Sequence, residues 1–240
     1  GAAGGKGFLA GFNAKKIGLG MTAGITLPLA LAGKAILDTG QKFESAMSRI
    51  AGITGEPAAA IDAVAQKAKD LGVATQFSAV ESADALEVLA RAGMDTSDMI
   101  GSIDGVLSMA AADNMELADA ASIASAAINA FSLEASDASM VADAMAGASA
   151  AADTNITDLG EAFKYTALAS AEAGQSIPET TAALAAMADN AIKGSMAGTS
   201  LRGMMSKLNQ PTAEAQQWMD KLGLSFYDAE GNMVSYTDMA

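Results

Sequence analysis

The residue types best suited to chemistry are gathered in one stretch, "NAIKGSMAGTSLRGMM", at positions 190–205. Lys193, Gly194, Gly198, Thr199 and Arg202 are the kinds of residue that surround a phosphate, with backbone N–H groups and a lysine around the anion. A phosphate-binding loop, however, reads G-x-x-x-x-G-K-(S/T), is fed by a β-strand and leaves into a helix. Here Lys193 precedes the glycines, the spacing Gly194-x-x-x-Gly198 is too short, and the segment before it has helical periodicity. A helix corner accounts for the stretch better. In that reading Gly194 ends a helix at Lys193, Gly198 permits close approach, and Thr199 N-caps a helix to about residue 208. Arg202 then points outward or pairs with an acid.

Other reactive constellations are scarce. The chain has no cysteine and no histidine, which removes Cys/His zinc sites, thiol nucleophiles, the Ser-His-Asp triad and disulfides. A pair of acids such as Glu161 and Glu172 is open to a hydrolytic reading. With 28 Asp and Glu in the chain, pairs at many spacings are unavoidable. None lies in an apolar pattern that would raise its pKa for acid catalysis. No catalytic, metal or cofactor site is expected, and the chain is expected not to be an enzyme.

The elements that position these residues are helical. Alanine dominates the 240 residues, only four are proline, and alternating apolar runs are missing until the last twenty. The expected fold is all-α: Ala-rich antiparallel helical hairpins or a bundle, with a short C-terminal β-hairpin. Ser78 and Glu81 form a capping box, as do Ser176 and Glu179, and Asp95 is a further cap. Helices are predicted at about 57–71, stopped by Gly72, then 78–92, 95–110, 116–131, 136–151, 157–173 and 176–193. A last helix opens at Pro211 and Thr212 and holds Trp218, read as a core anchor. "LSFYDAEGNMVSY", 224–236, reads as the β-hairpin. Two stretches, "TQFSAVESADALEVLARAG" from Thr75 and "TNITDLGEAFKYTALASAEAG" from Thr154, share a helix, an Ala-Gly stop and a capped second helix. They suggest related hairpins. Three regions follow: 1–54, a Gly-rich, apolar lead with one long helix; 55–209, an acidic helical core; and 210–240, a helix and hairpin at the truncated start of a further region. The chain opens without methionine and stops where another helix is expected to begin, so it is read as part of a longer protein.

Charge is uneven. Residues 71–190 carry two basic against eighteen acidic residues, a net of −16, which repels nucleic acid. Residues 1–70 carry a net of +3. Within them, 17–33 is an uncharged run flanked by Lys15, Lys16 and Lys34, near the lower length limit for a membrane span. Ile17, Gly20, Gly24, Leu27, Leu29 and Leu31 are its candidate membrane or self-association residues, with Gly20 and Gly24 in a G-x-x-x-G spacing. Three readings stay open: a flexible lead before a helix from about Pro28 to Arg49, conditional membrane insertion, and a cleaved signal.

"LGVATQFSAVESADALEVLARAG", "TNITDLGEAF" and "NAIKGSMAGTSLR" together resemble the conserved region of tailed-phage tail tape measure proteins. The resemblance runs from about residue 22 to 236, and its most specific element is 194–202, with Lys193, Gly194, Gly198, Thr199, Leu201 and Arg202 as the family-signature corner. It implies a structural protein in the lumen of the tail tube or at the tail tip, setting tail length and leaving ahead of the genome. It also implies a host-cytoplasmic stage during assembly and possible contact with the host envelope on ejection. Implied partners are further copies of itself (trimer or hexamer), the tail tube protein, tail assembly chaperones, tip or baseplate proteins and the host membrane. Specific nucleic-acid binding is not implied. A membrane-inserting, channel-forming protein of genome delivery is the alternative. As a single helix, the chain would extend on the order of 360 Å. The repeated caps and stops argue instead for a folded module.

Overall fold

Helix starts in this chain are written locally. Ser78 Oγ accepts the Glu81 N–H while the Glu81 carboxylate accepts the Ser78 N–H, and Ser176 and Glu179 repeat the arrangement. Asp95, Asn155 and Thr212 each accept an N–H three residues on. Each cap satisfies donors that a helix start leaves free. The computed structural model describes residues 26–227, 233 and 234, with side chains from residue 37 onward. Its helices are α1 (Thr26–Thr54), α2 (Ala58–Ala74), α3 (Ala79–Arg91), α4 (Thr96–Asp113), α5 (Leu117–Phe131), α6 (Ala138–Ala151), α7 (Ile156–Glu172), α8 (Ile177–Ala188), α9 (Gly194–Asn209) and α10 (Ala213–Leu222). A short 3₁₀ turn, Ala135–Asp137, leads into α6.

The chain divides into two compact units, 1–45 and 46–240. In the first, the leading part of α1 is described. Leu27, Leu29 and Leu31 fall in its helical backbone, whereas Ile17, Gly20 and Gly24 lie outside the described residues. Among the described residues no helix is long and apolar enough to cross a membrane.

The second unit is a two-layer stack of helix hairpins. Helices α3, α5, α7 and α9 pack each on the next to form one layer, and α2, α4, α6 and α8 form the other. Starts in the first layer, Ala79, Leu117, Ile156 and Gly194, are 38 or 39 residues apart. The two hairpins legible in the sequence are therefore members of a longer series, and α5–α6 is the one between them. Antiparallel neighbours joined by short turns, each burying a face on the hairpin before and after, are the construction of helical repeat arrays. Left-handed residues at Gly93, Asn114, Ser132, Gly174 and Ala191 turn the chain between helices.

Apolar side chains fill the space between the layers: Leu86, Leu89, Ile103, Met109, Met145, Leu159, Phe163 and Leu184 are all but completely buried. Small residues set how close the helices come. A Cβ on Gly105 would lie 2.5 Å from the backbone of Ala138, so α4 and α6 touch main chain to main chain. Carboxylates from one hairpin cap helices in another. Glu56 accepts from the N–H and hydroxyl of Thr96, and Asp113 accepts from the same two groups of Thr157 at 3.2 and 3.1 Å.

Several expectations are corrected. Gly72 does not stop α2, which runs on to Ala74; it is needed because a Cβ there would meet the Ala79 nitrogen at 2.5 Å. The C-terminal β-hairpin is absent among the described residues, which hold no strand; Tyr227 and Met233 form one isolated antiparallel bridge. Trp218 is not a core anchor, being 56% exposed.

Candidate functional site at the start of α9

After α8 ends at Ala188, the turn is closed by Asn190, whose side-chain amide donates to the Ala186 carbonyl at 3.0 Å, and by the Ile192 N–H on the Met187 carbonyl at 3.0 Å. Ala191 takes a left-handed φ of 61° between them. Lys193 is the N-cap position of α9, and its Nζ lies 2.7 Å from Asp153 Oδ2. The Asp153 N–H donates to Asp189 Oδ1 at 2.9 Å. One lysine and two aspartates thus tie the α6–α7 connection to the α8–α9 connection.

The glycines and threonine behave differently from the sequence reading. Gly194 begins α9 instead of ending the previous helix, which had stopped at Ala188. Thr199 is not an N-cap: it lies inside α9, and its hydroxyl donates to the carbonyls of Ser195 at 2.8 Å and Met196 at 3.1 Å. Gly198 is a contact residue in the body of the helix. A Cβ there would sit 2.2 Å from the Ala162 carbonyl oxygen, so α9 and α7 meet with no room for a side chain. Leu201 is buried at the same seam, while Arg202 is exposed and makes no salt bridge among the described residues. One turn on, the Met205 sulfur lies 4.0 and 3.8 Å from the buried hydroxyls of Thr166 and Ser170. Gly198, Leu201 and Met205 form one stripe against α7, whereas Lys193, Thr199 and Arg202 do not converge with it.

This arrangement does not suit an anion. Lys193 is engaged by Asp153, and the Asp158 carboxylate lies 3.8 Å from where a Cβ on Gly194 would be, putting negative charge at the start of α9. Glu161 and Glu172 both lie on α7, eleven residues apart, or about 16 Å of helix rise, well outside the spacing of a carboxylate pair acting on one bond. Glu161 is paired with Lys164. Among the described residues no three acids are grouped to hold a metal ion.

The strongest ionic feature was not singled out in the sequence. Glu87 on α3 is 7% exposed, and its carboxylate takes Arg49 of α1 at 2.7 Å and Arg91 at 2.6 Å. Burial raises the Glu87 carboxyl, but the hydrogen bonds and charges of Arg91 and Arg49 together outweigh burial and hold it below the ordinary carboxylate value. The Glu87–Arg91 spacing of four was visible; Arg49, thirty-eight residues away, was not.

Residues 65–240 match a family model described as phage-related minor tail protein. The tape measure protein of Pneumococcus phage Dp-1 is 39% identical over 229 residues, covering 95% of this chain and 20% of that protein. The probable tape measure protein of Escherichia phage P2 is 30% identical over 211 residues, 87% of this chain and 26% of that protein. The chain thus spans about a fifth to a quarter of the length of these curated relatives. No solved structure matches. A family model over 65–240 and a relative aligned along almost the whole chain carry one conclusion: this chain belongs to the phage tail tape measure family, the phage-related minor tail proteins.

Proposed function

We propose that this chain is a folded module of a tail tape measure protein that acts at one end of the tail, while most of the measuring length lies elsewhere in the protein. The observation that carries the proposal is the hairpin array. A residue in a straight helix advances about 1.5 Å, so the 38 or 39 residues of one hairpin would measure close to 60 Å if extended. Folded, each hairpin advances the stack by one helix spacing, about 10 Å. A segment built this way is a poor ruler and a good docking block.

In this reading the protein sits in the lumen of the tail tube or at its tip, helps to set tail length during assembly, and leaves ahead of the genome. Its partners are further copies of itself, the tail tube protein, the tail assembly chaperones and the tip or baseplate proteins. The acidic surface of 71–190 suits a passage through which DNA must slide without sticking. The role is structural, not enzymatic, and the signature residues around Gly198 serve packing of α9 on α7. The channel-forming alternative draws no support from the described helices, none of which is long and apolar enough to cross a membrane, and residues 17–25 of the candidate run lie outside the described residues.

The test is electron microscopy of tails after in-frame deletion of residues 71–209 in the source phage. A docking module predicts no tails, or tails of uncontrolled length. Tails shortened by about 200 Å, the extended length of the deleted residues, would make the segment part of the ruler and overturn the proposal.

A further inference from the structure

Along the second layer, helices begin at Ala58, Thr96, Ile177 and, between the last two, Ala138; α10 begins at Ala213, where the next member of the series is due. It is capped by Thr212 and yet buries none of its residues. Its apolar side chains recur at Ala215, Trp218, Met219 and Leu222, the i, i+3, i+4, i+7 spacing of one helix face. Trp218 and Leu222 are 56% and 65% exposed. A helix of 10 residues gains little stability alone in water, and helices this short are held by what covers their apolar face.

A complementary surface lies on the same molecule. Between α6 and α8 runs an open groove of about 460 Å³, lined by Ala144, Gly147 and Ala148 on one side and Ala182 and Ala185 on the other. Small residues leave the depth that bulky side chains of an incoming helix require. Asp143 and Asp189 belong to the same lining, and among the described residues Asp143 makes no hydrogen bond or ion pair. On α10, Lys221 Nζ lies 4.7 Å from the Trp218 ring centre, so a cation travels with the bulky residue. The helix offers bulk and a cation, and the groove offers a void and a carboxylate.

We propose that α10 of one copy docks into the α6–α8 groove of a second copy, with Trp218 and Leu222 seated over the alanines and Lys221 beside Asp143. The inference rests on the self-association included in the reading above and names its surfaces. Donor and acceptor surfaces differ, so the contact is heterologous: it runs head to tail, closing a ring or continuing as a chain.

Sedimentation velocity of the full chain over two decades of concentration tests it. Association is expected, and Leu222→Asp on the helix or Ala182→Arg in the groove each weakens it at least tenfold with the circular dichroism unchanged. Mixing those two variants is the decisive step, since one keeps an intact groove and the other an intact helix. The mixture forms a dimer and nothing larger. Lys221→Glu and Asp143→Lys each weaken association alone and restore it in the double variant. Association untouched by these substitutions overturns the docking surfaces and leaves self-association standing. A chain that is monomeric at every concentration overturns both, and Trp218 covered within a monomer overturns the docking surfaces.

Discussion

At the scale of single residues, stability is decided by how each side chain meets its nearest neighbour. Gly198 and Gly203 lie on the same helix and differ completely: a Cβ at 198 collides with the Ala162 carbonyl at 2.2 Å, and one at 203 meets nothing within 4 Å. Gly198→Ala is expected to destabilise the fold by about 1–3 kcal/mol, because α7 and α9 must separate. Gly203→Ala stabilises it by about 0.5–1 kcal/mol through helix propensity alone. Urea denaturation of the two variants reads both, and equal effects would show that α9 is not seated on α7. Ser82 gives a second case. Its hydroxyl is fully buried and has no hydrogen-bond partner among the described residues. Ser82→Ala removes an unsatisfied polar group and is expected to raise stability by about 1 kcal/mol in the same measurement. Glu87 supplies the pH dependence. Its folded pKa lies below the unfolded value, so its stabilisation is complete above the unfolded carboxylate range and is lost as pH falls through the folded pKa. Thermal melts of the wild type and Glu87→Gln should differ at pH 7 and converge as the solution is acidified toward pH 3, near and below the usual carboxylate pKa. A gap that widens on acidification would refute the pairing with Arg49 and Arg91.

At the scale of helices and turns, the legible part of the fold is the part written within four residues. Ser78 with Glu81, Asp95, and Ser176 with Glu179 mark helix starts because side chain and target N–H lie in the same turn, and the structure places all three as caps. Helix stops were less legible. Gly72 and Gly194 carry the usual sign of a stop, but both are inside helices, one pressed on Ala79 and the other opening α9. The actual turn before α9 is made by Ala191, a residue with no intrinsic preference for a positive φ, held there by hydrogen bonds on either side. Thr199 resembles a cap by type, whereas its hydroxyl bonds back to the preceding turn, as threonine does within helices. Close approach at Gly198 was read at a helix corner, whereas it occurs in the body of α9; its partner Ala162 was not legible, because the contact spans two helices. The same limit hid the array. The Thr75 and Thr154 stretches share their turn chemistry, Gly93 and Gly174 both being left-handed, but the hairpin between them turns on Ser132 and carries no such sign. Trp218 was misread because burial of a tryptophan is decided by what packs on it, and among the described residues no helix buries it.

At the scale of the molecule, a stack in which each hairpin touches its neighbours in sequence should not be equally stable along its length. In such arrays stability is a sum of repeat and interface terms, so interior hairpins are held on two sides and terminal ones on one. Here α5 buries Leu117, Ala120, Ala121, Ala124, Ala127 and Ile128, whereas α10 buries nothing. Amide hydrogen exchange of the dilute chain should therefore rank α4, α5, α6 and α7 as the slowest helices and α10 as close to unprotected. The ranking has a second consequence, because a helix that buries no residue in its own copy can gain cover from another. Raising the protein concentration should slow exchange in α10 and, in step with it, along the α6–α8 groove, while the protection of α5 stays as it was. Protection spread evenly over all helices at low concentration would contradict the hairpin-by-hairpin construction itself. Protection of α10 that is already high and independent of concentration would mean that its apolar face is covered within one copy, and the head-to-tail contact would have to be given up.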